Sequence, residues 1–236
     1  MILKYLPFIS TLVALLFAWA VLARYNHKRG THLLMWGIGL VLFAAGTFAE
    51  SFLALAWSDF ILRLWYLSGA MLTAAWLGQG TVYLLVRREK VAHASAAALA
   101  VVSILSIVLI AIAKIDPSTF DPHIAISTQY KTMMERSGLV TLLTILLNIY
   151  GTITLIGGAI YSAYLFWRKQ VLPHRVVGNI LIAVGAMFPA AAGTLIKFGL
   201  SDYLYVSELI GAALMFAGFI AATSPQAIKQ TQAVAA

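Results

Sequence analysis

The sequence of 236 residues contains no cysteine, and only 10% of its residues are charged. The absence of cysteine excludes disulfides, thiol chemistry and cysteine-ligated iron–sulfur clusters. A soluble domain of this length needs more charge than this to cover its surface. With 62% hydrophobic residues and a mean hydropathy of +0.92, the composition predicts a protein embedded in a lipid bilayer.

Long apolar runs account for the scarcity of charge. A helix needs roughly 20 apolar residues to cross a bilayer, and its backbone groups must bond within the segment. The alternation over about ten residues that is typical of barrel strands is absent. The sequence therefore predicts an all-α, multi-pass bundle of seven transmembrane helices that forms a single domain over 1–236. The predicted helices are 6–23, 33–56, 61–86, 91–113, 139–167, 176–197 and 204–223.

The formal net charge of +8 comes from basic residues that lie between the apolar runs. That position is typical of a membrane topology signal and not of nucleic-acid binding, so no nucleic-acid partner is expected. Basic residues concentrate in loops 24–32, 87–90 and 168–175, whereas acids dilute the basic residues at the other end of the helices. We therefore predict an external N-terminus, a cytoplasmic C-terminus and a location in the plasma (inner) membrane. The basic loops are candidate contacts for other membrane or cytoplasmic proteins.

The sequence lacks the motifs of serine hydrolases, metalloenzymes, retinal proteins and membrane cytochromes. There is no G-x-S-x-G sequence, no histidine–carboxylate cluster for a metal and no lysine midway along the last helix for a retinal Schiff base. No histidine pair faces across the membrane to hold a haem, because four histidines lie at predicted cytoplasmic helix ends. We expect no enzyme activity, no cofactor and no metal. The four histidines are His27, His32, His93 and His174.

The connection 114–138 is the one loop with room for structure of its own. Pro117 and Pro122 interrupt its first half. Residues 127–136 are expected to form a short interfacial helix that turns Met133 and Met134 toward lipid or protein and covers the outer mouth of the bundle. The alternative is a solvated loop.

Small residues recur at every fourth position in three of the predicted helices. Such stripes let a neighbouring backbone approach closely, so the third, sixth and seventh helices are expected inside the bundle. Gln79 and Asn179 are single amides within apolar segments, and helix-to-helix hydrogen bonds are expected for both. The three stripes are Ala70, Ala74 and Gly78; Ala186, Ala190 and Thr194; and Ala213, Ala217 and Ala221.

The stretch "AAGTFAESFLALAWSDFILRLW", residues 44–65, carries an acid in the middle of apolar chain. Glu50 follows Leu33 by 17 residues, so it lies about 25 Å above the start of its helix, in the outer third of the membrane. Ionisable residues at such depths face the bundle interior and usually have partners. We therefore expect Glu50 to be an ionised acid paired with a nearby cation, or else a neutral acid bonded to a carbonyl group.

Four further polar residues are expected in the same layer as Glu50. The predicted ligand-binding residues are Glu50, Arg63, Asn148 and Glu208, and Lys197 ends its helix on the same side. Arg63 is expected to pair with Glu50 or with Glu208, because only a short loop separates it from Glu50. The alternative is that the charged residues are interfacial and extend to the membrane surface.

An acid in the second helix, a short turn and then "RLWYLSGAMLTAAWL" form a pattern that resembles the seven-helix sensor region of certain bacterial histidine kinases. The residue match spans about 36–86, while helix count and orientation extend the resemblance over most of the chain. Those proteins continue into a cytoplasmic kinase or cyclase, whereas this sequence stops thirteen residues after Thr223. The resemblance implies a sensor that passes its signal to a separate partner.

Three functions are compatible with the sequence. The first is a non-enzymatic sensor or receptor with a pocket in the outer half of the bundle. The second is an accessory subunit of a larger membrane complex that holds lipid or pigment. The third is a small transporter built from two three-helix repeats, because "SDFILRLWYLSGAML" at 58–72 resembles "SDYLYVSELIGAALM" at 201–215.

Overall fold

A computed structural model describes residues 6–170, 172–197 and 203–224, with side chains through residue 191 in the second range. Within these ranges the chain forms eight α-helices and a single isolated β-bridge. Seven of the helices are long and apolar enough to cross a membrane. The prediction of an all-α, seven-helix multi-pass protein is confirmed to that extent, whereas the orientation and the membrane involved stay predictions.

The helices follow the predicted order with small shifts at their ends. Two of them contain a π-helical segment, at Tyr66–Leu72 and Ile153–Gly157. The helices are α1 (Leu6–Lys28), α2 (Thr31–Leu53), α3 (Asp59–Leu85), α4 (Glu89–Ile112), α5 (Ile126–Met133), α6 (Gly138–Arg168), α7 (Pro173–Lys197) and α8 (Tyr203–Thr223).

The first basic loop is much shorter than predicted, because α1 continues to Lys28 instead of ending near residue 23. Arg29 has a φ of 51°, and its N–H donates to the Tyr25 carbonyl oxygen at 2.7 Å. A left-handed residue of this kind closes a helix C-terminus. Basic side chains are stable in a final helical turn because they oppose the partial negative charge of the helix end.

Six of the seven long helices form a closed ring. Along the ring, α1 packs on α2, α2 on α3, α3 on α6, α6 on α7, α7 on α8, and α8 returns to α1. The fourth long helix, α4, lies outside this ring against α3 and α6. Its outer face is apolar and exposed, as expected of a face that meets lipid. Residues on that face include Val101, Ile104, Val108 and Ile112.

The predicted small-residue stripe of α3 is a close helix contact. A Cβ atom on Gly151 of α6 would collide with the backbone of Ala74, and one on Gly78 of α3 would collide with the Thr154 side chain. The two helices therefore approach closely at this stripe, as the spacing of small residues predicts.

The prediction of an alanine stripe packed inside the bundle is wrong for α8. Ala213 and Ala217 are exposed, and the close approach to α7 is made by glycines on another face. Glycine permits a shorter distance between backbones than alanine, which decides which face turns inward. The glycines in contact are Gly178 with Gly218 and Gly185 with Gly211.

The stripe predicted on α7 is only partly internal. Ala186 is buried, whereas Ala190 is exposed. The side chain of Thr194 lies outside the described residues.

The two ends of the bundle differ in their connections. We call the end with the connection 113–137 the long-loop end, and the end with the turns near 29–30, 86–88 and 169–170 the basic end. At the long-loop end, α5 covers the bundle and buries Met133 and Met134, which are 1% and 2% exposed. The prediction of a short covering helix is therefore confirmed, with bounds of Ile126–Met133.

Backbone pairing fixes the base of this long connection. The Asp116 N–H donates to the Met133 carbonyl oxygen at 2.8 Å, and the Glu135 N–H donates to that of Lys114 at 3.0 Å. The Asp116 carboxylate accepts the Ser118 N–H at 2.9 Å, and this hydrogen bond holds the pKa of Asp116 below its usual value. The connection is thus a folded element and not the solvated loop of the alternative.

Candidate functional site: a buried pair of acids

Two acids from distant parts of the sequence meet inside the ring. The Glu50 carboxyl group, in the last turn of α2, lies next to that of Glu208 in the second turn of α8, within hydrogen-bonding reach of it. Glu50 is only 3% exposed, and Glu208 is partly buried. A hydrogen bond between two carboxyl groups requires a proton on one of them, because an ionised carboxylate can only accept. Two negative charges this close together in an apolar environment repel each other strongly, so we expect the two carboxyl groups, which we call the acid pair, to hold one proton between them.

The acid pair retains unused hydrogen-bonding capacity. Glu50 Oε1 and Glu208 Oε2 are both withdrawn from solvent, and no group outside the acid pair makes a hydrogen bond to either oxygen. Leaving a buried polar atom unpartnered costs about 1–3 kcal/mol. Two such atoms on adjacent carboxyl groups mark a place where a further group can bind.

Arg63 does not pair with either acid, so that prediction is wrong. Its guanidinium Nη1 donates to the carbonyl oxygen of Ile110, in the last turn of α4. The final carbonyl groups of a helix lack partners within the helix, and a guanidinium is well suited to meet them. Arg63 therefore ties α3 to the peripheral helix α4, and its presence in the ligand-binding set is not supported by its contacts.

Asn148 also makes hydrogen bonds away from the acid pair. Its Nδ2 donates to the carbonyl oxygens of Ala70 and Thr144, each at 2.8 Å. Ala70 lies in the π-helical segment of α3, where the regular i→i+4 bonding is interrupted. Asn148 thus joins α6 to an irregular part of α3. The side chain of Lys197, expected in the same layer, lies outside the described residues.

Sequence reasoning missed a polar contact between α1 and α2 beside the acid pair. The Thr11 hydroxyl donates to Thr47 Oγ1 at 3.0 Å. Ser10, the next residue toward the long-loop end, is 0% exposed, and its hydroxyl has no hydrogen-bond partner. Ser10 lies on the buried stripe of α1 together with Pro7, Ala14 and Phe17. Helical spacing alone points to this position, because the stripe recurs every three or four residues.

Apolar layers enclose the polar groups on both sides. Glu208 stands one helical turn from Leu204 on one side and from Ala212 on the other. Such layers exclude water and strengthen the electrostatic interactions between them. The layer toward the long-loop end contains Leu6, Ala125, Leu204 and Tyr205. The layer toward the basic end contains Ala14, Phe43, Ala44 and Ala212.

Aromatic side chains beneath α5 close the neighbouring part of the long-loop end. The Tyr130 ring lies 5.3 Å from that of Trp65 and 5.6 Å from that of Tyr66, measured between centroids. Arg136 stacks over the same ring at 5.0 Å. Burial raises the pKa of Tyr130, so its phenol stays neutral at physiological pH. These contacts hold the covering helix against α3.

The predicted helix-to-helix role of Gln79 is confirmed. Its Nε2 donates to the Ala92 carbonyl oxygen at 3.0 Å and to Ser95 Oγ at 3.1 Å, while its Oε1 accepts from the Tyr150 hydroxyl at 2.5 Å. One amide therefore joins α3, α4 and α6. Asn179 behaves differently from the prediction, since its Nδ2 donates to the Arg175 carbonyl oxygen of its own helix at 2.7 Å.

A cavity lies in the half of the ring nearer the basic end. This cavity of about 50 Å³ is lined by residues from all six ring helices, and most of the lining is apolar. Thr81, Ser162 and Asn179 are its polar members. The lining includes Val21, Leu40, Leu77, Leu155, Ile182 and Phe219.

Comparisons of the chain with family profiles, curated proteins and solved structures gave no match. The resemblance to histidine-kinase sensor regions therefore stays a prediction. Among the described residues, no group of three or more histidine, aspartate or glutamate side chains gathers to hold a metal ion. The arrangement that defines a site in this protein is the acid pair with its free oxygens.

Proposed function

We propose that this protein is a non-enzymatic membrane sensor of the plasma membrane that binds a small cationic ligand at the acid pair. In this proposal the long-loop end is external, and the ligand is received beneath α5. The observation that carries the proposal is the contact of Glu50 with Glu208, in which each acid has a buried oxygen that no group outside the pair binds.

The energetics of buried acids support a binding role over a purely structural one. Ionisable side chains within a membrane are costly, and apolar side chains of similar volume would pack the same space at lower cost. A carboxyl pair with one shared proton already carries one negative charge, and it carries two when that proton leaves. A cation that binds there meets both the charge and the free oxygens, so a cationic ligand fits the chemistry better than a neutral or anionic one.

The helices that form the site also reach the basic end. A conformational change at the acid pair can therefore be transmitted along these helices to that end. At that end Arg24 Nη1 of α1 donates to the Thr223 carbonyl oxygen of α8 at 3.4 Å. A ligand that changes the spacing of α1, α2 and α8 at the acid pair would alter this contact as well. We propose that a separate protein reads the change at the basic segments 24–32, 87–90 and 168–175.

The second candidate is an accessory subunit of a membrane complex. The broad apolar face of α4, outside the ring, favours this function because a partner helix could cover it. The third candidate is a transporter with three-helix repeats, and the arrangement of α1–α3 and α6–α8 around the ring with α4 outside is the feature that favours it. The mostly apolar lining of the cavity near the basic end offers no continuous polar path for a transported solute.

Hydrogen–deuterium exchange in lipid nanodiscs tests the sensor proposal. We expect the double variant Glu50→Gln/Glu208→Gln to change amide protection in segments 24–32 and 168–175, far from the substitutions. Glu135→Gln, at an exposed acid of the long connection, is the matched control and should leave protection unchanged.

A further control separates signalling from loss of stability. Leu204→Ala opens a gap in the apolar layer above the acid pair without altering charge, and its effect should stay at the long-loop end. If the double variant changes protection only at the long-loop end, or if Leu204→Ala reproduces its distant effect, the proposed function is wrong.

A further inference from the structure

Three helices each contribute a buried oxygen without a hydrogen-bond partner, and the three oxygens lie at nearly the same height along the axis of the bundle. Among the described residues, the buried side-chain oxygen and nitrogen atoms without a hydrogen-bond partner belong to Ser10, Glu50, Ser127 and Glu208. Ser127 is in α5, outside the spanning helices. The other three residues are on α1, α2 and α8, which adjoin one another in the ring or through the acid pair.

The contact between Thr11 and Thr47 fixes the relative height of Ser10 and Glu50. Because α1 and α2 are antiparallel and each residue rises about 1.5 Å, Ser10 lies about 1.5 Å from the contact toward the long-loop end. Glu50 lies about 4.5 Å from the contact in the same direction. The two residues therefore differ in height by only about 3 Å, which the length of a glutamate side chain can span.

The packing of α1 against α8 fixes the height of Ser10 relative to Glu208. Ala14 and Ala212 belong to the same apolar cluster. Ser10 precedes Ala14 by one helical turn, and Glu208 precedes Ala212 by one turn, both toward the long-loop end. Ser10 and Glu208 therefore lie at one level.

The Ser10 hydroxyl is available for a ligand because it makes no hydrogen bond within the protein, unlike the nearby hydroxyls of Thr11 and Ser51. Hydroxyl groups in helices usually bond to a carbonyl group of the preceding turn. Thr11 does so with Pro7 at 2.8 Å, and Ser51 does so with Thr47 at 2.9 Å. Ser10 makes no such bond although it is fully buried.

We propose that Ser10, Glu50 and Glu208 bind a monovalent hard cation of the size of Na⁺, in exchange for the proton that the two carboxyl groups share. Carboxylate and hydroxyl oxygens are the ligands that hard cations prefer. The exchange leaves the charge of the site unchanged, because one proton departs as one monovalent cation enters. Divalent cations suit the site less well, since Ca²⁺ takes six to eight oxygens and Mg²⁺ dehydrates reluctantly.

No other charged side chain among the described residues takes part at this level. Apart from Glu50, the ionisable groups on α1, on α2 and on the part of α7 whose side chains are described stand at the basic end, and on α8 two tyrosines stand at the long-loop end. Lys197 ends α7 at the long-loop end, and its side chain lies outside the described residues. Arg63 of α3 bonds to Ile110. The groups on α1, α2 and α7 are Arg24, Tyr25, His27, Lys28, His32, His174 and Arg175; those on α8 are Tyr203 and Tyr205; and those on α5 are Tyr130 and Lys131.

This inference rests on the proposed function, because it specifies the cationic ligand of the same site. The test is thermal unfolding of the full chain in nanodiscs, in NaCl against choline chloride at equal ionic strength. At pH 8 we expect Na⁺ to raise the Tm with a saturable dependence on concentration. At lower pH the apparent Kd should increase by up to about tenfold per pH unit, because protons compete for the carboxyl groups.

Variants identify the three ligands. Glu50→Gln should abolish the Na⁺-dependent shift. Ser10→Ala should weaken Na⁺ binding by about tenfold while leaving the Tm in choline unchanged, because the hydroxyl has no partner to lose. Glu135→Gln should behave as the original protein.

The outcomes separate this inference from the proposed function. Equal Tm values in NaCl and choline at pH 8, or an undiminished Na⁺ effect in Ser10→Ala and Glu50→Gln, overturn the cation site. If tetramethylammonium or a primary amine instead stabilises the original protein and not Glu50→Gln/Glu208→Gln, the cation site is wrong and the sensor proposal stands. If no cation of either kind stabilises the protein, both are wrong.

Discussion

Glu50 and Glu208 illustrate what helix position can and cannot indicate for a single residue. Counting along the helices predicts that both acids lie near one level, and they do. The same counting predicts a pair between Glu50 and Arg63, which does not form because the Arg63 guanidinium bonds to the end of α4. Depth follows from residue number, whereas the direction of a long side chain depends on which helices are neighbours.

The first prediction is a double-mutant cycle between the two acids. Glu50→Gln and Glu208→Gln should be non-additive in the free energy of unfolding, with a coupling of about 0.5–3 kcal/mol, because the two carboxyl groups are in contact. The measurement is reversible unfolding in mixed micelles.

The control cycle pairs Glu50→Gln with Arg63→Gln. Because these residues do not touch, their effects should add to within about 0.3–0.5 kcal/mol. Strict additivity between the two acids, together with coupling between Glu50 and Arg63, would restore the ion pair and refute the acid pair.

At the scale of the helix, apolar length and periodicity predicted the seven spans well, because both follow from the thickness of the bilayer and the geometry of the helix. The stripes of small residues were less informative. The stripe at Ala74 and Gly78 packs against α6, whereas Ala217 faces outward and Gly218 makes the contact. In an alanine-rich helix several faces contain small residues, so the sequence does not determine which face is buried.

The second prediction compares these two alanines. Ala74→Leu should destabilise the protein by about 1–3 kcal/mol, because the larger side chain must displace the α6 backbone at Gly151. Ala217→Leu should have a much smaller effect, since an exposed position leaves the added methyl groups free of collision. Thermal unfolding in one detergent for both variants is the measurement. A larger loss for Ala217→Leu than for Ala74→Leu would contradict the packing of α8 described above.

For the whole molecule, the ring of six helices with α4 outside it was not predictable from the sequence. Hydropathy indicates that a helix is embedded in the membrane, but it does not indicate which helices are its neighbours in the bundle. The distribution of basic residues does make a prediction at this scale, because it assigns one end of the bundle to the cytoplasm. The sensor proposal depends on this assignment, since the acid pair lies nearer the long-loop end.

The third prediction is therefore topological. A reporter fused after residue 229 should be cytoplasmic, and one inserted near Ser118 should be external. Paired reporters that are active on only one side of the membrane provide the measurement. The opposite pattern would place the acid pair in the cytoplasmic half and reverse the direction of the proposed signal.

The shared proton of the acid pair is the central claim, and infrared spectroscopy of the protein in lipid measures it most directly. In Na⁺-free buffer at neutral pH we expect a C=O stretching band of a protonated carboxyl group that moves in H₂O–D₂O exchange. The band should shift in Glu50→Gln and in Glu208→Gln, vanish in the double variant, and persist unshifted in Glu135→Gln. A spectrum without this band, or a band that survives in the double variant, would contradict the assignment of a shared proton to Glu50 and Glu208.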